Sequence, residues 1–218
     1  MNIIAFGDIH FKYECIGKIP ELSAADLIII TGDLTIFGNR HDAEVVINKV
    51  RSYNKNIMAV QGNLDNTDVI EYLDEIDVSL HGRGRFVNNL GIFGVGGSNP
   101  TPFNAPSEYA EDEICKIAQE AYKNVKGSQL LIFVSHAPPF NTKTDQIDNN
   151  IHVGSSSIRD FIASNQPDLC LTGHIHEAKA VDWIGKTKIL NPGMLELGTY
   201  IQIKTYENKI EADLKSFL

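Results

Sequence analysis

The sequence predicts an α/β fold: a mixed sheet system flanked by helices, with a β-rich C-terminal end. Three observations carry this reading. Short, wholly apolar runs recur and each stops at a small polar cluster. Segments of helical periodicity fall between them, and the last third switches to shorter, partly alternating runs. Continuous apolar runs of this length suit strands buried on both faces. One domain spanning 1–218 accommodates the alternation better than two.

In chain order, the run 3–6 stops at Gly7, Asp8, Ile9 and His10. The run 27–30 stops at Thr31, Gly32 and Asp33. Val46, Ile47, Val50 and Tyr53 then form a helical stripe after Asp42. The run 57–60 stops at Gln61, Gly62 and Asn63, and Thr67 is placed to cap a helix carrying Val69, Ile70 and Leu73. Ala110, Ile114, Ile117, Ala118, Ala121 and Val125 line one face of a helix expected to start near Ser107. The run 130–134 stops at Ser135 and His136. Ile158, Phe161 and Ile162 follow serines able to cap, and the run 169–171 stops at Thr172, Gly173, His174, Ile175 and His176. The stretches 179–183, 187–190, 199–205 and 209–214 read as strands, with Gly185-Lys186 and Glu207-Asn208 as turns. Segment 96–106 is rich in glycine and proline and reads as a shaped loop. It serves either as a crevice wall, with Phe103 or Asn104 exposed to the crevice, or as a rigid connector. Pro138 and Pro139 fix the chain just after His136.

The 218 residues are 43% apolar and 22% charged, which excludes disordered, collagen-like and disulfide-scaffold classes. Nineteen Lys and Arg against 28 Asp and Glu give a formal charge of -9, which argues against duplex nucleic acid as a partner. No apolar run approaches the roughly 18 residues of a membrane span. The first residues carry no basic lead and no long apolar stretch, so no secretory signal is expected. Cys15, Cys115 and Cys170 are far apart, which fits reduced thiols and a cytoplasmic location.

In open α/β sheets, ligands bind beyond the carboxyl ends of the strands. Each polar cluster above sits at such an end. If the strands are neighbours, Asp8, His10, Asp33, Asn63, His136, His174 and His176 converge, and they include four of the seven histidines. Alone, each motif has an ordinary reading as a turn, a helix cap or a packed histidine. Together they are a set of oxygen and nitrogen donors without thiolate. That set suits Mn²⁺, Fe, Zn²⁺, Co²⁺ or Ni²⁺ better than Ca²⁺ or a cysteine-type zinc site. Seven donors exceed the needs of one ion and match two that share a carboxylate.

Gly7-Asp8-Ile9-His10, Gly32-Asp33, Gly62-Asn63-Leu64-Asp65, Ser135-His136 and Gly173-His174-Ile175-His176 resemble the signature of the calcineurin-like metallophosphoesterase superfamily, in its small prokaryotic single-domain form. The resemblance implies a four-layer α-β-β-α sandwich, with two packed mixed β-sheets flanked by helices. It implies two divalent metal ions, with Mn favoured. Asp8, His10, Asp33 and His176 would hold one and Asp33, Asn63, His136 and His174 the other, Asp33 bridging. The implied reaction is hydrolysis of a phosphate-ester small molecule or nucleotide, phosphodiesters favoured, by a metal-bridging hydroxide. The alternatives are a phosphomonoesterase or protein phosphatase, or a non-catalytic binding or scaffold protein that keeps the fold. The sequence departs from the signature where many members carry a general-acid histidine, because Leu64 stands there and cannot donate a proton. Asp65 then reads as a turn or helix-start residue. His41 (with Arg40) and His152 are the candidate replacements, for a contribution typically of about 10²–10⁴-fold, each with the ordinary alternative of a solvated loop residue.

Overall fold

The computed structural model describes residues 1–218, the side chain of Asn149 excepted. The first third runs β1 (Asn2–Phe6), β2 (Leu27–Ile30), α1 (Arg40–Arg51), β3 (Ile57–Ala59) and α2 (Thr67–Glu75). The middle runs β4 (Gly84–Val87), β5 (Leu90–Val95), α3 (Glu111–Lys123), β6 (Leu130–Ser135), β7 (Gln146–Ile147), β8 (Ile151–His152) and α4 (Ser156–Asn165). The last part runs β9 (Leu169–Leu171), β10 (Ala180–Ile184), β11 (Thr187–Asn191), β12 (Thr199–Thr205) and β13 (Ile210–Ser216).

Two mixed sheets result, ordered β13-β12-β1-β2-β3 and β10-β11-β9-β6-β5-β4, with β7 and β8 forming a small separate hairpin. In the first sheet β1, β2 and β3 are parallel. In the second, β5, β6, β9 and β11 are parallel. The antiparallel strands are β12 and β13 on one side of the first sheet and β10 and β4 at the two edges of the second.

Strand alternation divides the apolar residues into three cores, as a period of two requires. On β1 and β2, Ile4, Phe6, Ile28 and Ile30 face out and pack on Val46, Ile47 and Val50 of α1 and Val69 and Leu73 of α2. Ile3, Ala5, Leu27 and Ile29 face in, against Ile92, Ile132, Val134, Leu171 and Leu190 of the second sheet. The far face of that sheet, with Phe93, Phe133, Cys170 and Ile189, is covered by Ile114, Ala118 and Ala121 of α3 and Ile158 and Ile162 of α4. The layers are therefore helix, sheet, sheet, helix, each apolar face buried on another.

Two helix starts differ from the sequence expectation. Helix α2 begins at Thr67, but Asn66 occupies the capping position, and its side-chain amide donates to the carbonyls of Phe37 and Gly38 instead. Helix α3 begins at Glu111, where the Glu113 carboxylate accepts from the Ala110 N–H. Ser107 is outside the helix because its hydroxyl donates to the Asp65 carbonyl and its N–H to the Asn63 carbonyl, which ties it to the strand-end loops. Among the described residues no helix is long and apolar enough to cross a membrane.

Candidate metal centre

The carboxyl ends of the parallel strands of both sheets open on one crevice of about 660 Å³. Asp33, Asn63, His174 and His176 line it, and Asp8, His10 and His136 are buried beside them, each placed by the turn that ends its strand. Asp8, His10 and His176 bring one donor atom each to within 4.8 Å of one another and of an Asp33 oxygen. His10 Nε2 lies 2.9 Å from His176 Nε2, and His176 Nε2 lies 3.3 Å from Asp8 Oδ1. Beside them, Asn63 Oδ1 lies 3.0 Å from His136 Nε2 and 2.8 Å from His174 Nδ1. Asp33 stands between the two groups: Oδ2 is 3.8 Å from His10 Nε2 and Oδ1 is 3.5 Å from His136 Nε2. Donors about 2.0–2.2 Å from a common cation stand roughly 3–3.5 Å apart, so these spacings fit first-row metal ligation. These residues could hold such ions, and their oxygen and imidazole chemistry suits them.

The backbone is strained to achieve this. Asp8 (φ 47°), His10 (φ 49°), Asp33 (φ 48°) and His174 (φ 70°) all occupy the left-handed region that non-glycine residues avoid. Such conformations cost of order 1–3 kcal/mol each and persist where the surroundings over-determine them. Close packing is equally demanding at Gly62, where any Cβ would collide with the Asp33 carboxylate and its N–H.

Hydrogen bonds aim the donors. The carbonyl of Thr31 lies 2.9 Å from His136 Nδ1 and can only accept, so that nitrogen carries the hydrogen and Nε2 keeps its lone pair. Asp8 accepts the His174 N–H at 3.1 Å, and Asp33 Oδ1 accepts the Leu64 N–H at 2.9 Å. The side chain of Leu64 lines the crevice.

Asp65 does more than start a helix. It is fully buried and accepts from the N–H groups of Leu34 (3.1 Å), Thr35 (2.9 Å) and Gly62 (2.9 Å) and from the Thr35 hydroxyl (2.9 Å). One carboxylate thus joins the loop bearing Asp33 to the loop bearing Asn63. Sequence reading missed this role; a charged residue placed between Asn63 and an apolar helix was the available signal.

Burial pushes the Asp33 carboxyl well above the ordinary carboxylate range, and the neighbouring Asp65 and Asp8 charges push the same way. Burial also lowers His10 to about 4 and His174 to about 3. For His176 burial, the largest influence, opposes the charged form, but the bond to Asp8 and the Asp8 and Glu177 charges together outweigh it and the net direction is up. For Asp8 burial raises the value, yet the His176 bond and the surrounding imidazoles bring it below the usual range.

Asn99, Pro100, Thr101, Pro102 and Phe103 form one wall of the crevice, with Phe103 80% exposed. Asn104 is not among the lining residues. His152 also lines the crevice, whereas His41 is exposed on the first turn of α1, outside it.

Buried carboxylate, amide and imidazole donors at the shared edge of two packed sheets define a four-layer α/β protein with a candidate cation centre. The model of calcineurin-like phosphoesterases matches residues 1–178, and the chain belongs to that family. An uncharacterized protein of Methanocaldococcus jannaschii is 34% identical over 222 residues, covering 98% of this chain and 96% of the relative. A probable glycerophosphodiester phosphodiesterase of Arcobacter nitrofigilis is 23% identical over 184 residues, covering 81% of this chain and 66% of the relative. The crystal structure of TT1561 from Thermus thermophilus shares the fold, with a TM-score of 0.76, 19% identity, and coverage of 100% of this chain and 99% of that one.

Proposed function

We propose that this chain, acting as a single domain, hydrolyses phosphate esters, phosphodiesters in preference to monoesters, and that its seven clustered donors hold two divalent cations, Mn²⁺ favoured. The observation that carries the reading is Asp33, whose two carboxylate oxygens face the two donor groups separately. Asp8, His10, Asp33 and His176 would hold one ion, and Asp33, Asn63, His136 and His174 the other. Family membership supports hydrolysis, and the similarity to a probable glycerophosphodiester phosphodiesterase supports the diester preference.

When bound, such a pair supplies Lewis acidity that brings a water's pKa towards neutrality and offsets charge on phosphoryl oxygens. The chain's residues do the rest. His136 presents Nε2 because Thr31 fixes its tautomer. Asn63 offers an amide oxygen, so it adds no negative charge opposite an anionic ester. Asp65 holds the two acidic loops in register. Leu64 and the wall from Pro100 to Phe103 present apolar surface to the non-phosphate part of a substrate and narrow the access of water.

The test is an assay on chelator-stripped protein with Mn²⁺ restored. Hydrolysis of bis(p-nitrophenyl) phosphate is compared with that of p-nitrophenyl phosphate, beside Asn63→Ala. Metal-dependent diester cleavage that Asn63→Ala abolishes is the expected result. Turnover of the monoester alone would overturn the diester preference. Turnover of neither would overturn the enzymatic reading and favour a binding protein, a view for which Leu64 is the one structural argument.

A further inference from the structure

The crevice contains a second histidine–carboxylate pair, apart from the seven donors. His152 ends the β7–β8 hairpin and lines the crevice together with His174 and His176. Its Nδ1 lies 2.7 Å from Asp145 Oδ1; the imidazole is 24% exposed and the carboxylate is fully buried. Asp145 cannot turn away, because it also accepts from the N–H groups of Thr142 (2.9 Å), Gly154 (3.0 Å) and Asn141 (3.1 Å). The ring's own strand is held as well. His152 pairs with Gln146 across the hairpin, and the next carbonyl, that of Val153, accepts from the side-chain amide of Asn99 at 3.1 Å. An ionised carboxylate only accepts, so the Nδ1 facing it carries the hydrogen. Nε2 is then the nitrogen left for the crevice.

This arrangement answers a need that Leu64 creates. An alkoxide leaving group must be protonated as it departs, and Leu64 cannot do it. His41, the other candidate, is exposed outside the crevice, and its neighbour Arg40 is engaged by Glu44 and Glu75. We propose that His152 is the proton donor to the leaving group and that Asp145 is its positioning residue. The inference rests on the phosphoesterase reading above. In the step, the oxygen of an attacking water forms a new bond to phosphorus. The bond from phosphorus to the ester oxygen breaks, and its electron pair stays on that oxygen. His152 enters the step as the imidazolium, with hydrogens on both nitrogens; its Nε2 proton passes to the same oxygen, the product leaves as a neutral alcohol, and the ring is left as the Nδ1–H tautomer. The proton that the attacking water gives up to solvent balances the one that later reprotonates Nε2.

The experiment compares the wild type with His152→Gln across aryl and alkyl phosphodiesters of increasing leaving-group basicity, in the Mn²⁺-restored protein. We expect kcat/KM for an alkyl leaving group to fall about 10²–10⁴-fold. The fall should be much smaller for bis(p-nitrophenyl) phosphate, whose nitrophenolate departs without a proton. The plot of log kcat/KM against leaving-group pKa should therefore steepen in His152→Gln and stay parallel to wild type in His41→Gln. An equal loss on all esters would overturn the proposal, since a merely structural role lowers them together. If wild-type protein cleaves none of these esters, the phosphoesterase reading fails and this inference goes with it. A readout independent of turnover is the ¹H–¹⁵N long-range spectrum of the metal-free protein. It should place His152 in the Nδ1–H tautomer, with that population reduced in natively folded Asp145→Asn. An Nε2–H tautomer in the wild type would contradict the positioning role.

Discussion

Removing the Asp65 carboxylate should be among the most costly single changes outside the seven candidate donors. In Asp65→Ala the N–H groups of Leu34, Thr35 and Gly62 lose their acceptor while remaining buried, and the Thr35 hydroxyl can turn elsewhere. A buried unsatisfied donor costs about 1–3 kcal/mol, so three give about 3–9. Water entering the vacated space can recover part of this, so the expected loss is about 3–5 kcal/mol. For a chain of this length that corresponds to a fall in Tm of roughly 6–20 °C. Urea and thermal denaturation of metal-free protein measure it without contribution from bound ions. Glu120→Gln, which removes an exposed pair with Lys123, should leave Tm within error of wild type. A loss below about 1 kcal/mol for Asp65→Ala would refute the view that this carboxylate holds the two acidic loops together.

The remaining predictions follow from the same geometry. Gly62→Ala should lower both stability and Mn²⁺ binding, because the added methyl meets the Asp33 carboxylate and N–H; unchanged binding by calorimetry would contradict the close packing. In the metal-free protein the native state keeps His10 and His174 neutral down to about 4 and 3. Unfolded chains take up these protons near 6.5, so this share of stability is complete above that pH and is lost as pH falls towards about 4 for His10 and about 3 for His174. Asp33, raised by burial and by its carboxylate neighbours, has the opposite sign: it stabilises the metal-free fold at low pH and loses that contribution as pH rises through its folded value. Cations relieve that ionised charge and compete with protons on Asp33 and His176, both shifted up. The rise in Tm on adding Mn²⁺ should therefore be larger at pH 7.5 than at pH 5; an equal rise at both would contradict this. Phe103→Ala should raise KM for aryl diesters with little change in kcat, as befits an exposed wall residue away from the donors; a fall in kcat alone would contradict that placement.

Much of this was legible in the sequence because local pattern and global topology agree. Wholly apolar runs such as 27–30 suit strands buried on both faces of a layered sheet, and the polar residue that stops each run falls at the edge where ligands bind. The candidate donors follow directly from those stops. What escaped depends on partners distant in sequence. Asp65 reaches N–H groups about 30 residues earlier, so its neighbours in sequence suggested only a turn. Ser107 looked like a helix start but is held by Asn63 and Asp65. The hairpin of β4 and β5 turns at Asn88 (φ 57°), and β4 keeps no buried residue, so it left no apolar run to read. His152 could be named as a candidate, but its partner Asp145 and its place in the crevice required the fold.

The proposed paired-cation centre is tested most directly by counting ions. Calorimetric titration of stripped protein with Mn²⁺ should give two per chain for wild type, one for Asn63→Ala, and neither bound tightly in Asp33→Asn, whose carboxylate serves both donor groups. A single ion in the wild type, or two in Asp33→Asn with unchanged affinity, would contradict the account.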